Sequence, residues 1–150
     1  MSDTCMHHIE NHWKKLTFYS NELFNNSKFE RALHGYEEAL YRSEVLNNHI
    51  ELCNKLKIPF VQIYIISCNN LANTYKEINK KDKAEKILKR ALFYLLHLTG
   101  NKSLDKENIK MEMRKAMISY TYFIKENNIP ISNKEKLFQT IKEEILEKSA

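Results

Sequence analysis

Residues 68–92 read Cys-Asn-Asn-Leu-Ala-Asn-Thr-Tyr-Lys-Glu-Ile-Asn-Lys-Lys-Asp-Lys-Ala-Glu-Lys-Ile-Leu-Lys-Arg-Ala-Leu, and they predict two helices joined by a short polar turn. Apolar and small side chains recur every three or four residues, which is the spacing of one helix face. That face carries Leu71, Ala72 and Tyr75 in the first helix and Ala84, Leu88 and Ala91 in the second. The stretch therefore predicts a helical hairpin packed through small residues.

The composition extends this prediction to the whole chain. Only two glycines and two prolines occur in 150 residues. Turns and sheet edges consume both residue types, so their scarcity favours long helices with few connections. We expect a single all-α domain, 1–150, with about six helices in antiparallel hairpins. The expected bounds are about 9–58 and 60–98 for the first two hairpins and about 103–148 for a degenerate third hairpin or cap.

Local signals place the helix ends. Three pairs at capping-box spacing predict helix starts, namely Ser27–Glu30, Asp82–Glu85 and Ser132–Glu135. Ser103 or Asp105 is expected to cap the fifth helix, and Gly100 to follow the end of the fourth.

Other features of the sequence predict where the first three helices begin and end. Residues 1–8 are expected to be frayed. The second helix is predicted to continue unbroken to about Lys57 or Ile58, because Pro59 disfavours helical geometry in the residue before it. The apolar run 60–66 would also suit a short buried strand, but no partner strand is predicted elsewhere, so a helix is favoured.

The chain contains an internal repeat. The pattern Phe29-x-x-Ala32-x-x-x-Tyr36-x-x-Ala39-Leu40 falls on Lys81-x-x-Ala84-x-x-x-Leu88-x-x-Ala91-Leu92 at an offset of 52 residues. The preceding helices match at the same offset, because Tyr19-Ser20-x-x-Leu23 falls on Leu71-Ala72-x-x-Tyr75. A repeated helical hairpin is predicted.

These residues resemble a known family. Asn69-Asn70-Leu71-Ala72-x-x-Tyr75, followed by Ala84-Glu85 and Arg90-Ala91-Leu92, is similar to tetratricopeptide repeats of the long kinesin-light-chain type. The resemblance is best over 66–92, good over 13–40 and poor over 104–148. Asn26 and Asn79-Lys80 replace the expected turn glycine, and the 52-residue offset exceeds the usual repeat length. The resemblance implies a short superhelix of stacked hairpins with a concave groove that binds a peptide or a segment of a partner protein.

The same resemblance implies which side chains line that groove: Phe18, Asn21, Asn25, Asn69, Asn70, Asn73 and Lys76. A carboxamide both donates and accepts hydrogen bonds, so it can pair with the backbone of an extended peptide. The competing interpretation is that asparagine is frequent here because the whole chain is rich in Asn and Lys.

The net charge of +5 is compatible with an acidic partner. Lys80, Lys81, Lys83, Lys86, Lys89 and Arg90 form a basic stripe, which could make the protein a nucleic-acid-associated regulator. Glu77 and Glu85 interrupt this stripe, and no known nucleic-acid-binding motif accompanies it. A solvated helix face is the favoured interpretation of the stripe, ahead of a contact with an acidic protein surface and of nucleic acid. Nucleic acid is kept as the alternative to a protein or peptide partner.

Motifs for catalysis and cofactors are missing from the sequence. It has no glycine-rich phosphate loop, nucleophile elbow or His-Glu-x-x-His pattern, so we expect a non-enzymatic adaptor or scaffold without a cofactor. Cys5, His8 and His12 would share one face if a helix began at Cys5, and a metal site there competes with a flexible N-terminus. Cys53 and Cys68 are interpreted as small packing residues.

The remaining expectations concern compartment and assembly. Three cysteines without paired spacing indicate a reducing compartment. Neither a leader peptide nor a long apolar segment is visible, so a cytoplasmic protein without a membrane partner is expected. Exposed apolar residues near 60–66 or 118–123 could support a homodimer.

Overall fold

The computed structural model describes residues 1–129, 134–141 and 143. Over these residues it is entirely helical, with no strand, which confirms the all-α prediction. The described helices are α1 (Asp3–Asn25), α2 (Phe29–Asn47), α3 (Ile50–Leu56), α4 (Phe60–Glu77), α5 (Lys81–Leu98), α6 (Lys106–Glu126) and α7 (Lys134–Ile141). The run 60–66 belongs to a helix, as favoured, and α5 ends where it was predicted to end.

The predicted long second helix is wrong, because it is broken into α2 and α3. His49 has a non-helical ψ of 51°, and its N–H turns back to the Leu46 carbonyl at 2.9 Å. The Asn47 side chain donates to the carbonyl of Ser43 at 2.9 Å, which competes with continued helical bonding. Three consecutive residues of modest helix propensity, Asn47, Asn48 and His49, therefore end the helix ahead of Pro59.

The predicted frayed N-terminus is also wrong. α1 begins at Asp3, and the Ser2 side chain caps it by accepting from the Cys5 N–H at 3.1 Å. Met6 is fully buried, and α1 contacts α3. The first helix therefore extends well before its predicted start because its N-terminal turns gain a packing partner.

Four of the described helices end on a left-handed residue that is not glycine. After α1, the N–H of Lys28 donates to the Leu23 carbonyl at 2.8 Å, and Ser27 between them has a φ of 60°. This is the Schellman arrangement, in which glycine is usual. The other left-handed residues are Lys57, Asn79 and Asn128. The glycine count is therefore low for two reasons. The described part of the chain has few turns, and four of them place Ser, Lys or Asn at the left-handed position.

This geometry overturns two of the predicted caps. Ser27 ends α1, and Lys28 precedes α2 without a side-chain capping bond, so Ser27–Glu30 is not a capping box. Asp82 lies inside the first turn of α5 and not before it. Asp105 does cap α6, accepting from the N–H groups of residues 107 and 108 at 2.9 and 3.4 Å. Ser132 of the third predicted pair lies outside the described residues.

The helices form two compact units, Met1–Ile87 and Leu88–Ala150. In the first unit α2 packs against both α1 and α4. The predicted packing residues are buried there, including Ala32, Tyr36, Ala39, Leu71, Ala72 and Ala84. Two predicted packing residues are exceptions. Tyr75 is only half-buried, and Tyr19 is 53% exposed although its repeat equivalent Leu71 is buried. The buried side chains described in the second unit include Leu92, Leu95, Leu98, Met113, Tyr120, Phe123 and Ile141.

One hydrogen bond between α1 and α4, together with the side chains of each that interact with α2, indicates that α1 and α4 run in the same direction. The Trp13 indole N–H on α1 donates to Ser67 Oγ on α4 at 2.7 Å. Eight residues after Trp13 on α1, Asn21 accepts a hydrogen bond from Tyr36 of α2. Eight residues after Ser67 on α4, Tyr75 interacts electrostatically with Glu37, the next residue of α2. The repeat is visible in the helix bounds too, since α1 and α4 end 52 residues apart, at Asn25 and Glu77.

The closest approach of α1 and α2 gives a stability prediction. A Cβ added to Gly35 would lie 2.0 Å from Ser20 Oγ, which is buried without a hydrogen-bond partner in the described residues. Gly35→Ala should therefore lose more to this clash, about 1–3 kcal/mol, than the ~1 kcal/mol it gains in helix propensity. In a Ser20→Ala background the nearest remaining atom is Cβ at 3.3 Å, so the main clash is gone and the same change should cost less than in wild type. Urea unfolding of the four proteins measures this coupling, and additive effects would contradict it.

Candidate functional site

Helix α4 is buried around most of its circumference and exposes one stripe. Its buried residues lie on both sides of this stripe and include Ile63, Tyr64, Ile65, Ser67, Cys68, Leu71 and Ala72. The exposed or half-exposed positions recur at helical spacing, and we call Gln62, Ile66, Asn69, Asn70 and Asn73 the α4 stripe. A helix that is packed on both flanks presents this one strip of side chains to solvent.

The α4 stripe lies in the longest part of a helix here that carries no charge. Residues 60–75 contain no Asp, Glu, Lys, Arg or His, although charged residues make up 29% of the chain. Ile66 nevertheless remains 43% exposed. A solvated helix face normally carries charged side chains, whereas the centre of a protein interface is depleted of them. The stripe therefore has the composition of an interface.

The asparagines of the stripe differ from most others in the chain. Asn26, Asn47 and Asn127 each donate a side-chain bond to a carbonyl in the last turn of a helix. Asn79 and Asn128 adopt left-handed turns. The three stripe asparagines stand inside α4 instead, where Asn is less favourable than Ala and has no capping role. Asn69, Asn70 and Asn73 therefore have no role in ending a helix.

Helix α1 presents a matching stripe beside α4. Exposure agrees at the 52-residue offset: Phe18 matches Asn70, and Asn21 matches Asn73, with all four side chains at least partly exposed. Phe18 is 67% exposed, which makes it an apolar contact on this face. At the same offset Glu10 matches Gln62 and Lys14 matches Ile66. The face of α1 therefore carries charge, and Lys14 Nζ lies 3.8 Å from Glu10.

The structure brings only some of the predicted groove residues together. Asn69, Asn70 and Asn73 share the α4 stripe, and Phe18 is exposed at the matching repeat position of α1. The Asn21 side chain accepts from the Tyr36 hydroxyl and so already has an internal partner.

The other predicted groove residues lie at the helix ends. Asn25 is exposed at the last residue of α1, and Lys76 is half-buried near the end of α4. Gln62 and Ile66 were missed, although the uncharged run 60–75 was a readable signal.

The basic stripe is exposed but partly engaged in internal contacts. Lys80, Lys81, Lys83 and Lys86 are exposed, and an open depression is lined by residues 79–83. Lys83 Nζ lies 5.8 Å from the centroid of the Tyr75 ring, a cation–π distance. Asp82 lies within the cluster, so its local charge is mixed.

The cysteines and histidines do not assemble into a site. Cys5, His8 and His12 are exposed on α1, and no group of three or more His, Cys, Asp or Glu side chains in the described residues is placed to hold a metal ion. Cys53 and Cys68 are fully buried, as expected of packing residues. Burial, and secondarily the Glu10 carboxylate, raises the pKa of Cys53 to about 11, which removes it as a nucleophile at neutral pH.

Taken together, fold and site define a helical protein with an uncharged, partly exposed stripe on one helix, α4. The chain belongs to the family described as "Protein of unknown function (DUF2753)", whose model matches residues 11–145. No curated protein and no solved structure shows significant similarity to it. None of the described helices is long and apolar enough to cross a membrane.

This family match corrects the resemblance to tetratricopeptide repeats, which is wrong. No tetratricopeptide or kinesin-light-chain family matches the chain. The spacing of small residues such as Ala32, Ala39, Ala84 and Ala91 reports only that helices pack closely, and many helical proteins share it. The extra helix α3 also separates the two matching hairpins. The groove assignment thus has no support from that family and depends on the geometry of α1 and α4.

Proposed function

We propose that this protein is a non-enzymatic interaction module that binds an extended polypeptide segment along the α4 stripe. The observation that carries the proposal is the α4 stripe, five exposed or half-buried residues without a single charged side chain in a chain of which 29% is charged. In water, an uncharged face lacks the favourable solvation that charged side chains would give it. A docked segment would cover this face and remove it from water.

The side chains of the stripe suit a polypeptide backbone. Asn69, Asn70 and Asn73 each offer a donor and an acceptor on one face of α4. Ile66 on α4 and Phe18 on α1 provide exposed apolar contacts beside them. Backbone pairing by carboxamides with apolar contacts alongside is a general way to hold an extended segment.

The alternative partner, nucleic acid, would use the basic stripe of α5. Asp82 and Glu85 interleave with its lysines, and Lys83 lies over Tyr75. Phosphate binding favours a concentrated positive face, so these contacts weigh against it. Duplex binding that weakens steeply with salt, and that is lost in the Lys83, Lys86, Arg90 triple alanine variant, would favour this alternative.

Selection of random dodecapeptides on the immobilised protein tests the proposal. Ile66→Glu should weaken the selected peptides at least about tenfold, because docking would bury an unpaired carboxylate. Ile118→Glu is the matched control, since Ile118 is 70% exposed on α6 in the second unit. Unchanged helical circular dichroism in both variants would show that the fold is intact. Peptides that bind wild type and Ile66→Glu equally, or no selected peptides, would contradict the proposal.

A further inference from the structure

We infer that the segment held by the α4 stripe carries a carboxylate, placed at the α4–α5 turn and about six residues from the side chain that contacts Ile66. This inference rests on the proposed function and adds the chemistry and orientation of the bound segment. It follows from how charge is distributed along the stripe.

Charged residues follow shortly after Asn73, the last residue of the α4 stripe. Beyond Asn73 the next positions toward the turn are Lys76 and Lys80, followed by Lys81. The anions among them are Glu77 and Asp82, which leaves the turn with an excess of positive charge. At the opposite end, Lys14 on α1 lies within 3.8 Å of Glu10, so charge there is balanced. A bound segment therefore meets a neutral face with one basic end, and an acidic residue is complementary to that end.

The turn offers space for a carboxylate side chain. Residues 79–83 line an open depression, in which three lysines outnumber the one carboxylate, Asp82, and Lys80 and Lys81 are both exposed. Asn79 has a φ of 65°, which turns the backbone sharply between α4 and α5 and presents the lysines directly after the stripe. The Lys83 ammonium is drawn toward the Tyr75 ring, so Lys80 and Lys81 are the better placed cations.

The length of the helix sets the spacing in the segment. Ile66 and Lys80 are separated by 14 residues of α4 and its turn, which corresponds to roughly 20 Å at the rise of an α-helix. An extended chain advances about 3.3 Å per residue, so it covers this distance in about six residues. The apolar and acidic residues of the segment should therefore be about six positions apart.

The dodecapeptide selection tests this inference with one further pair of variants. Lys80→Gln/Lys81→Gln removes two charges at the turn, and Lys102→Gln/Lys106→Gln removes two exposed charges in the second unit as a matched control. The strongest selected peptide is also synthesised with its acidic residue replaced by the amide. We expect an acidic residue about six positions from an apolar one in the selected peptides. Binding should weaken about three- to tenfold on either change, with little further loss when both are combined.

The outcomes separate the two claims. Peptides that are lost with Ile66→Glu but show no acidic preference, or that bind the Lys80→Gln/Lys81→Gln protein as well as wild type, would overturn the inference and leave the proposed function standing. Equal weakening by the Lys102→Gln/Lys106→Gln control would also overturn it, because the effect would then come from overall charge. Selected peptides that are insensitive to Ile66→Glu would overturn both.

Discussion

Trp13→Ala is expected to lower the free energy of unfolding by about 3–5 kcal/mol, the usual cost of removing a large aromatic side chain from a core. Trp13 is 7% exposed, and its indole N–H reaches across from α1 to Ser67 on α4 at 2.7 Å. Ser67 Oγ in turn donates to the Ile63 carbonyl at 2.8 Å. The side chain therefore both fills the core and fixes the level at which α1 meets α4.

Urea unfolding followed by far-ultraviolet circular dichroism measures this effect. Ser67→Ala keeps the packing of Trp13 but leaves its buried N–H without a partner, so it should cost about 1–3 kcal/mol. Lys15→Ala, at an exposed position of α1, is the control and should change stability by less than about 0.5 kcal/mol. A Trp13→Ala protein as stable as the Lys15→Ala control would show that the contact between α1 and α4 is misplaced.

Thiol labelling should separate Cys5 from Cys53 and Cys68 by at least about a hundredfold in rate at pH 8. Cys5 is exposed, whereas the other two thiols are fully buried. With a pKa of about 11, only roughly one Cys53 in a thousand is ionised at that pH. Cys5→Ser should label slowly when folded and rapidly in urea. Fast labelling of folded Cys5→Ser would contradict the burial of both cysteines.

The raised pKa of Cys53 also predicts that the free energy of unfolding decreases at alkaline pH. An unfolded cysteine loses its proton near pH 8.5, but folded Cys53 keeps it until about pH 11. The stabilising contribution is therefore complete below about pH 8.5 and is lost as pH rises toward 11. Burial also raises the pKa of Tyr36, and burial together with Glu37 raises that of Tyr75, so they act in the same direction. Cys53→Ala should flatten the alkaline decrease in stability, as urea unfolding at each pH would show.

The sequence was sufficient for the helices but not for all of their ends. Apolar periodicity fixed α4 and α5 closely, because each carries small or apolar residues at helical spacing. The break at Asn48–His49 was missed because apolar residues continue through it, and only local bonding to the preceding turn ends α2. Ser27 was misread as a cap, since the same residue can start one helix or end another and tertiary packing decides which.

The candidate site could be predicted in part. Asn69, Asn70 and Asn73 were singled out from the sequence, and the structure places them together on the exposed stripe. The internal bond from Tyr36 to Asn21 could not be foreseen, because it depends on how α1 and α2 meet. Ile66 was assigned to an apolar run that could support a homodimer and not to the groove, since the side of a buried helix that is exposed cannot be read from composition.

The most direct test of the central claim is a two-dimensional ¹H–¹⁵N NMR titration of the whole chain with the strongest selected peptide. If the α4 stripe is the binding face, the largest shift changes should fall on the amides of residues 62–73 and of Phe18, and Ile66→Glu should abolish them. Shift changes confined to α2 or to the second unit, with residues 62–73 unperturbed, would contradict the assignment of the α4 stripe as the binding face.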